Sequence, residues 1–366
     1  SSPLLVDDVI YFGSGDNHYK RIHIKCHLYA VDIKTGEEIW KFETGGAVTS
    51  SPTLVDGVVY FGSGDKHLYA LDAKTGKEKW KFETGGRIFK SPTLVDGVVY
   101  FGSLDSHLYA VDIKTGKEKW KFKTDYDVRT TPAVVNGVVY FGNNTGYLYA
   151  VDANTGEEKW KFYSDSVLSS PAVVDGVVFF GSHDHHLYAL DSKTGEEKWK
   201  YKMEKAVEAS PIVVDGVVYC GGGYEPHLYA VDAKTGEVKW KFKTGYFVRS
   251  SPAIVDGVVY FGSGDKHLYA LNAKTGEEKW VFKTGDSIFS SPAVSDGVVY
   301  FGSDDSHLYA VDIELAEKLR KEEQKRQEEE KKALSERQEE ADKHGLTVED
   351  IRTKYVSGDI TLEEAI

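Results

Sequence analysis

Two sets of residues in this 366-residue chain have types and spacings that could do chemistry. The first is an acid two positions before a histidine, found at Asp65/His67, Asp105/His107, Asp184/His186, Asp265/His267 and Asp305/His307. Carboxylate with imidazole is a metal-ligand combination, but a metal needs its donors within about 2–2.5 Å of one point. Equivalent positions of repeated units cannot converge so closely, so a local Asp–His hydrogen bond closing a hairpin is the expected role. The stretch His183-Asp-His-His186 is denser, and His183 and His185 could share one ion as alternate residues of a loop. The second set precedes a recurrent Ser/Thr-Pro step. One column reads Thr49, Phe89, Arg129, Leu168, Glu208, Arg249 and Phe289, and another, two positions earlier, Ala47, Arg87, Asp127, Ser166, Ala206, Phe247 and Ser287. Arg87, Lys90, Arg129 and Arg249, interleaved with Phe89, Phe247 and Phe289, suit an anionic or aromatic ligand. Asp127 and Glu208 add acids to the same surface.

The elements that must position these residues repeat around them. In one unit, SPTLVDG (51–57) is a short strand ending in Asp-Gly, the pair for a tight hairpin with positive φ. VVYFGS (58–63) has the β-branched and aromatic composition of a buried strand. HLYALD (67–72) is a third strand, and AKTG turns at Gly76. KWKFET (79–84) alternates, with Trp80 and Phe82 on one face and charge on the other, as an outer edge strand should. Its lysines discourage edge-to-edge aggregation.

The His or Tyr opening each third strand falls at His27, His67, His107, Tyr147, His186, His227, His267 and His307, in steps of 40, 40, 40, 39, 41, 40 and 40. Eight four-stranded units of one period predict an all-β, eight-bladed β-propeller of antiparallel blades. The variable columns then lie where an outer strand crosses to the next innermost strand. They are expected to rim the central channel on the face of the second-to-third-strand loops, and positions that differ between otherwise uniform units are free for function.

The A-x-D-x-x-T-G-x-x-x-W pattern, for example Ala70/Gly76/Trp80, resembles the tryptophan-docking motif of the quinoprotein (PQQ-like) repeat over residues 1–312. That family includes quinoprotein alcohol dehydrogenases and outer-membrane-assembly scaffold lipoproteins. The resemblance implies a docking role for Trp40, Trp80, Trp120, Trp160, Trp199, Trp240 and Trp280, each ring covering a neighbouring turn. PQQ and calcium enter only through the resemblance. In the dehydrogenases the quinone stacks on a channel tryptophan beside adjacent cysteines. Here all seven tryptophans belong to the motif, Cys26 and Cys220 are far apart, and the units lack long insertions. No catalytic residue is assigned. The expectation is a non-catalytic scaffold binding a protein or a small anionic ligand at the rim, with a PQQ- and calcium-dependent oxidoreductase or a small-ligand sensor as alternatives.

Three departures stand out. The first unit has Asp8 where others have Gly, so its hairpin must differ, and it carries an insertion, NHYKRIHIKC (17–26). The eighth stops after its third strand, and the missing outer strand is expected upstream of Ser1. Beyond residue 312 comes a charged helix (313–345) with Glu, Lys, Arg and Gln at helical pair spacing but no sustained apolar seam. A short helical tail (346–366) follows, with capping-box-like starts at Thr347 and Thr361. These extensions are expected to dock or self-associate. The formal charge of −13 argues against a nucleic-acid partner. No segment is apolar enough to span a bilayer, and Gly221–Gly223 lacks the following helix of a phosphate loop. The compartment would be extracytoplasmic given an upstream export signal, and cytoplasmic otherwise.

Overall fold

The computed structural model describes residues 1–15 and 25–343. Most of the first-unit insertion (residues 17–24) and both capping-box starts in the tail lie outside them. The chain divides into two compact units after Asp312.

The first unit is an eight-bladed propeller. Blade one comprises Leu4–Val6, Val9–Gly13, Cys26–Asp32 and Glu38–Thr44, and blades two to seven repeat its simple up-and-down order. Blade eight has three strands, Ala293–Ser295, Val298–Ser303 and His307–Asp312. The Asp-Gly hairpins are left-handed at both positions, as at Asp56 (φ +49°) and Gly57 (φ +71°), which spares the second position a side chain. In blade one only Asp7 (φ +51°) takes that conformation, and the Asp8 carboxylate instead accepts from Lys34 Nζ at 2.8 Å.

No single core holds the ring together. Apolar layers lie between consecutive blades, as where Phe42 of blade one meets Phe61 and Tyr69 of blade two edge-on, while Phe61 and Tyr69 stack 5.3 Å apart. Such ring pairs add a directional term to burial. Along each outer strand the register slips opposite the alanine. Ala70 pairs with Trp80 but Leu71 with Glu78, so Lys79 is bulged out. A bulge turns the strand locally, and here it adjoins the indole that reaches the next blade.

Each indole spans a blade boundary. Trp120 Nε1 donates to Ala153 O at 3.0 Å, and Tyr100 donates its hydroxyl to the same carbonyl at 3.0 Å. Trp40, Trp80, Trp160, Trp199 and Trp240 make the equivalent bond. A methyl group on Gly156 would lie 2.8 Å from Trp120 Cδ2, so the Thr-Gly turn needs glycine both for φ +75° and for contact with the ring. Trp280, facing the incomplete blade, is only 1 % exposed, and among the described residues its Nε1 has no hydrogen-bond partner.

Where two hydroxyls precede the proline, as in Ser50-Ser51-Pro52, they divide the work of closure. The first ties strands within a blade: Ser50 Oγ donates to Gly62 O at 3.0 Å and accepts from Gly62 N–H at 2.8 Å. The second links neighbours. Ser2 N–H donates to Ser51 Oγ, Ser51 N–H to Ser91 Oγ, Thr131 N–H to Ser170 Oγ and Ser170 N–H to Ser210 Oγ, all near 3 Å. Ser251 N–H continues to Ser291 Oγ, and Ser291 N–H closes the circle on Ser2 Oγ at 2.9 Å. Both ends of the ring are thus joined through innermost strands.

The second unit is described as one helix, Ile313–Lys343. Its side chains are largely exposed, including Leu315, Leu319 and Leu334, and ion pairs such as Lys325–Glu329 and Lys332–Glu336 support it. No described helix is long and apolar enough to cross a membrane.

Candidate functional site

The Asp-x-His positions are structural in their geometry. Asp105 Oδ1 accepts from His107 N–H at 3.1 Å, and His107 Nδ1 lies 2.9 Å from the Asp105 carbonyl oxygen. The other carboxylate oxygen accepts from Tyr109 Oη at 2.8 Å and from Gly85 N–H, in the preceding blade, at 2.7 Å. Asp65, Asp105, Asp265 and Asp305 therefore each close their own turn and tie their blade to the last. In blade six Glu225 takes this place, 1 % exposed, accepting from Glu204 N–H at 3.0 Å. The carboxylates draw the tyrosine hydroxyls into hydrogen bonds, and burial followed by the adjacent negative charge raises the pKa of Tyr109.

His183 and His185 do not form the pair considered from sequence. His185 occupies the turn at φ +73°, while His183 Nε2 meets Glu208 Oε1 at 3.0 Å. Among the described residues no three His, Cys, Asp or Glu side chains assemble as metal donors.

The crossing segments and the second-to-third-strand loops do share one face, joined by backbone bonds such as Gly264 N–H to Phe247 O at 3.0 Å. On blades five to seven the loops build a compact cluster. The Arg249 guanidinium carbon sits 4.4 Å from the Tyr224 ring centroid and 4.9 Å from that of Phe247. Phe247 and Phe289 stack 5.7 Å apart with planes 8° from parallel. Glu208 Oε2 lies 3.4 Å from Arg249 Nε. Burial works against ionisation of Glu208, but the His183 hydrogen bond, the Arg249 charge and the Tyr224 hydroxyl outweigh it and hold its pKa below the ordinary value. Stacked on aromatic rings and paired to one acid, the guanidinium is held in a fixed direction.

The rest of the rim is less concentrated. Arg129 turns back on Asp127, with Nη2 3.0 Å from Oδ2. Arg87 is exposed and lies 6.0 Å from the Phe89 ring centroid. Phe89, Lys90, Glu208, Arg249 and Phe289 line an axial cavity of about 860 Å³, together with the inter-blade hydroxyls and Asp304. Two members of this site were missed in the sequence. Tyr224 is signalled by the 41-residue step into blade six, whose loop from Gly221 to His227 is one residue longer than its equivalents outside blade one. His183 carries in the sequence only the signal of a metal ligand, one of two alternate histidines in a loop.

Fold and repeat motif define an eight-bladed propeller of PQQ-like repeats. The model of the family described as outer membrane protein assembly factor BamB matches residues 25–161, 126–224 and 202–340, and the chain belongs to this family. Among solved structures, BamB from Moraxella catarrhalis superposes with a TM-score of 0.71 at 19% identity, over 84% of this chain and 95% of that one. The computationally designed Ika8 protein gives 0.73 at 17% identity, over 84% and 94%. The quinohemoprotein alcohol dehydrogenase ADHIIG from Pseudomonas putida HK5 gives 0.69 at 18% identity, over 82% and 69%. Identities this low establish the shared fold. No curated protein matches by sequence.

Proposed function

We propose that this propeller is a non-catalytic scaffold that binds a partner protein through the loop-bearing rim of its channel. The observation that carries this reading is the Tyr224–Phe247–Arg249–Phe289 cluster. The rest of the ring is a nearly invariant scaffold, yet this sector presents aromatic rings and a preoriented arginine at one end of the axis. Aromatic residues and arginine are the side chains that anchor protein interfaces. Tyr224 and Tyr246, 45 % and 53 % exposed, add uncovered ring surface beside the arginine. An assembly factor, as the family is described, is a protein whose work is binding other proteins.

The quinoprotein alternative fits the residues poorly. A planar quinone needs a stacking platform and acidic donors for calcium. Six indoles are spent on bonds to neighbouring-blade carbonyls and Trp280 is buried, and both cysteines are buried with no disulfide between them. No reaction step is therefore derived through PQQ. The helix Ile313–Lys343 serves, on this reading, as an appended docking or self-association element.

The test is affinity capture from the native host with wild type, an Arg249→Ala/Phe289→Ala double variant, and Lys74→Ala in an exposed turn as control. A specific partner retained by wild type and the control but lost from the double variant supports the rim. Equal capture by all three removes it.

A further inference from the structure

The axial cavity holds groups that neither the inter-blade architecture nor the aromatic cluster uses. In six blades the hydroxyl that directly precedes the proline accepts a backbone N–H from its neighbour through Oγ, as at Ser51, Ser91, Ser170 and Ser210. Accepting leaves the O–H hydrogen of each hydroxyl unspent. Among the described residues no protein acceptor meets the hydrogens of Ser51, Ser91, Ser210 or Ser251, all of which line the cavity. A circle of unengaged donors therefore surrounds the axis.

Lys90 stands on the same wall. It is half-buried, and no carboxylate lies within ion-pair distance of its Nζ among the described residues. Glu208, whose charge acts on Lys90, is already engaged by His183 at 3.0 Å and Arg249 at 3.4 Å. Burial lowers the Lys90 pKa, and the Glu208 charge offsets only part of this. An ammonium left this way gains from any anion that can reach it.

We propose that the axial cavity is a carboxylate-binding site, with Lys90 Nζ as its charge anchor and the Ser51, Ser91 and Ser210 hydroxyls as hydrogen-bond donors. A volume of about 860 Å³ admits a small carboxylate or the acidic side chain of an inserted peptide. Asp304 lines the cavity too, on blade eight, and its carboxyl pKa is raised by burial and by Asp286. With Glu208 and Asp304 both present, a carboxylate head group, which carries one charge, is favoured over a phosphate head group, which carries up to two. The site rests on the reading that the axial face is the binding face, and it gives that face the chemistry of its ligand.

Isothermal titration of the full chain with succinate, with N-acetyl-triglutamate amide, and with inorganic phosphate tests it. At least one carboxylate probe should bind. Lys90→Gln should weaken it about tenfold or more, the loss of one charged hydrogen bond, while Lys90→Arg retains most of the affinity. Binding of succinate points to a free metabolite, and binding of the peptide alone to an acidic segment of a partner. Absence of binding by both carboxylates, an unchanged affinity in Lys90→Gln, or binding of phosphate in their place overturns the assignment. Circular dichroism and melting of Lys90→Gln show that its ring is intact. Partner capture with the Arg249 and Phe289 variant stands or falls independently.

Discussion

Asp105 Oδ2 accepts the Gly85 N–H at 2.7 Å, so one carboxylate oxygen spans the boundary between blades two and three while the other closes its own turn. Asp65, Asp265 and Asp305 repeat the contact to Gly45, Gly245 and Gly285. Asp105→Ala leaves the Gly85 and His107 amides and the Tyr109 hydroxyl without their acceptor. It should destabilise the ring by about 2–3 kcal/mol, with Asp105→Asn costing less. Urea unfolding measures both, and unchanged midpoints would remove the carboxylate from the list of inter-blade ties.

The tryptophan lock should show a position dependence. Trp120→Ala removes a packed ring and the hydrogen bond to Ala153, at a cost of about 3 kcal/mol. Gly156→Ala should cost about 1–3 kcal/mol from the opposite side of the same contact, because its φ of +75° and the ring both resist a methyl group. Trp280→Phe should be milder than Trp120→Phe, since among the described residues the Trp280 N–H has no acceptor to lose. Equal losses for the two would show that the bond contributes little.

Cys220 is fully buried, and burial, followed by the Glu225 charge, pushes its thiol pKa up to about 12. At pH 8 only about one molecule in 10⁴ carries the thiolate, the reactive form. Ellman's reagent should therefore not label Cys220 in the native protein and should label it promptly in urea. Rapid labelling of the native protein would contradict its burial.

Glu208 supplies an acid-side signature. Its native pKa is below the ordinary value of 4.5, so the folded state favours its ionised form. The associated stability is fully present above the ordinary value and is lost as pH falls through the lowered native value. Melting between pH 2 and 6 should show a shallower decline over that window in Glu208→Gln than in wild type. Parallel curves would mean that the His183 and Arg249 contacts hold no net charge preference.

Arg129 and Arg249 occupy the same column of the repeat yet should differ in effect. Arg129→Ala breaks only a local pair with Asp127 and should leave partner capture intact. Arg249→Ala should abolish it.

The contrast shows how far sequence reasoning reaches. Blade number, turn chemistry and strand order were legible because they rest on residue type at fixed spacing, as with Asp56-Gly57 or the alternation around Trp80. A column fixes where a residue sits around the ring, but the reach of its side chain depends on the neighbouring loop. Arg249 finds Tyr224 because blade six has one extra residue, whereas Arg129 finds only its own Asp127. The bulge at Lys79 and the shared hydroxyls at Ser51 and Ser91 were hidden for another reason. They are relations between strands, and the period of one strand does not encode them.

The bond from Ser291 to Ser2 joins residues 289 apart, whereas most of the other inter-blade hydroxyl bonds join residues about 40 apart. Chain-closure entropy grows with the logarithm of separation, so this junction costs about 1.7 kcal/mol more to form than its neighbours. Individual blades can condense early from nearby segments, but the circle cannot. Its sealing should be the late, slow event of folding, and until then the blades form an open arc.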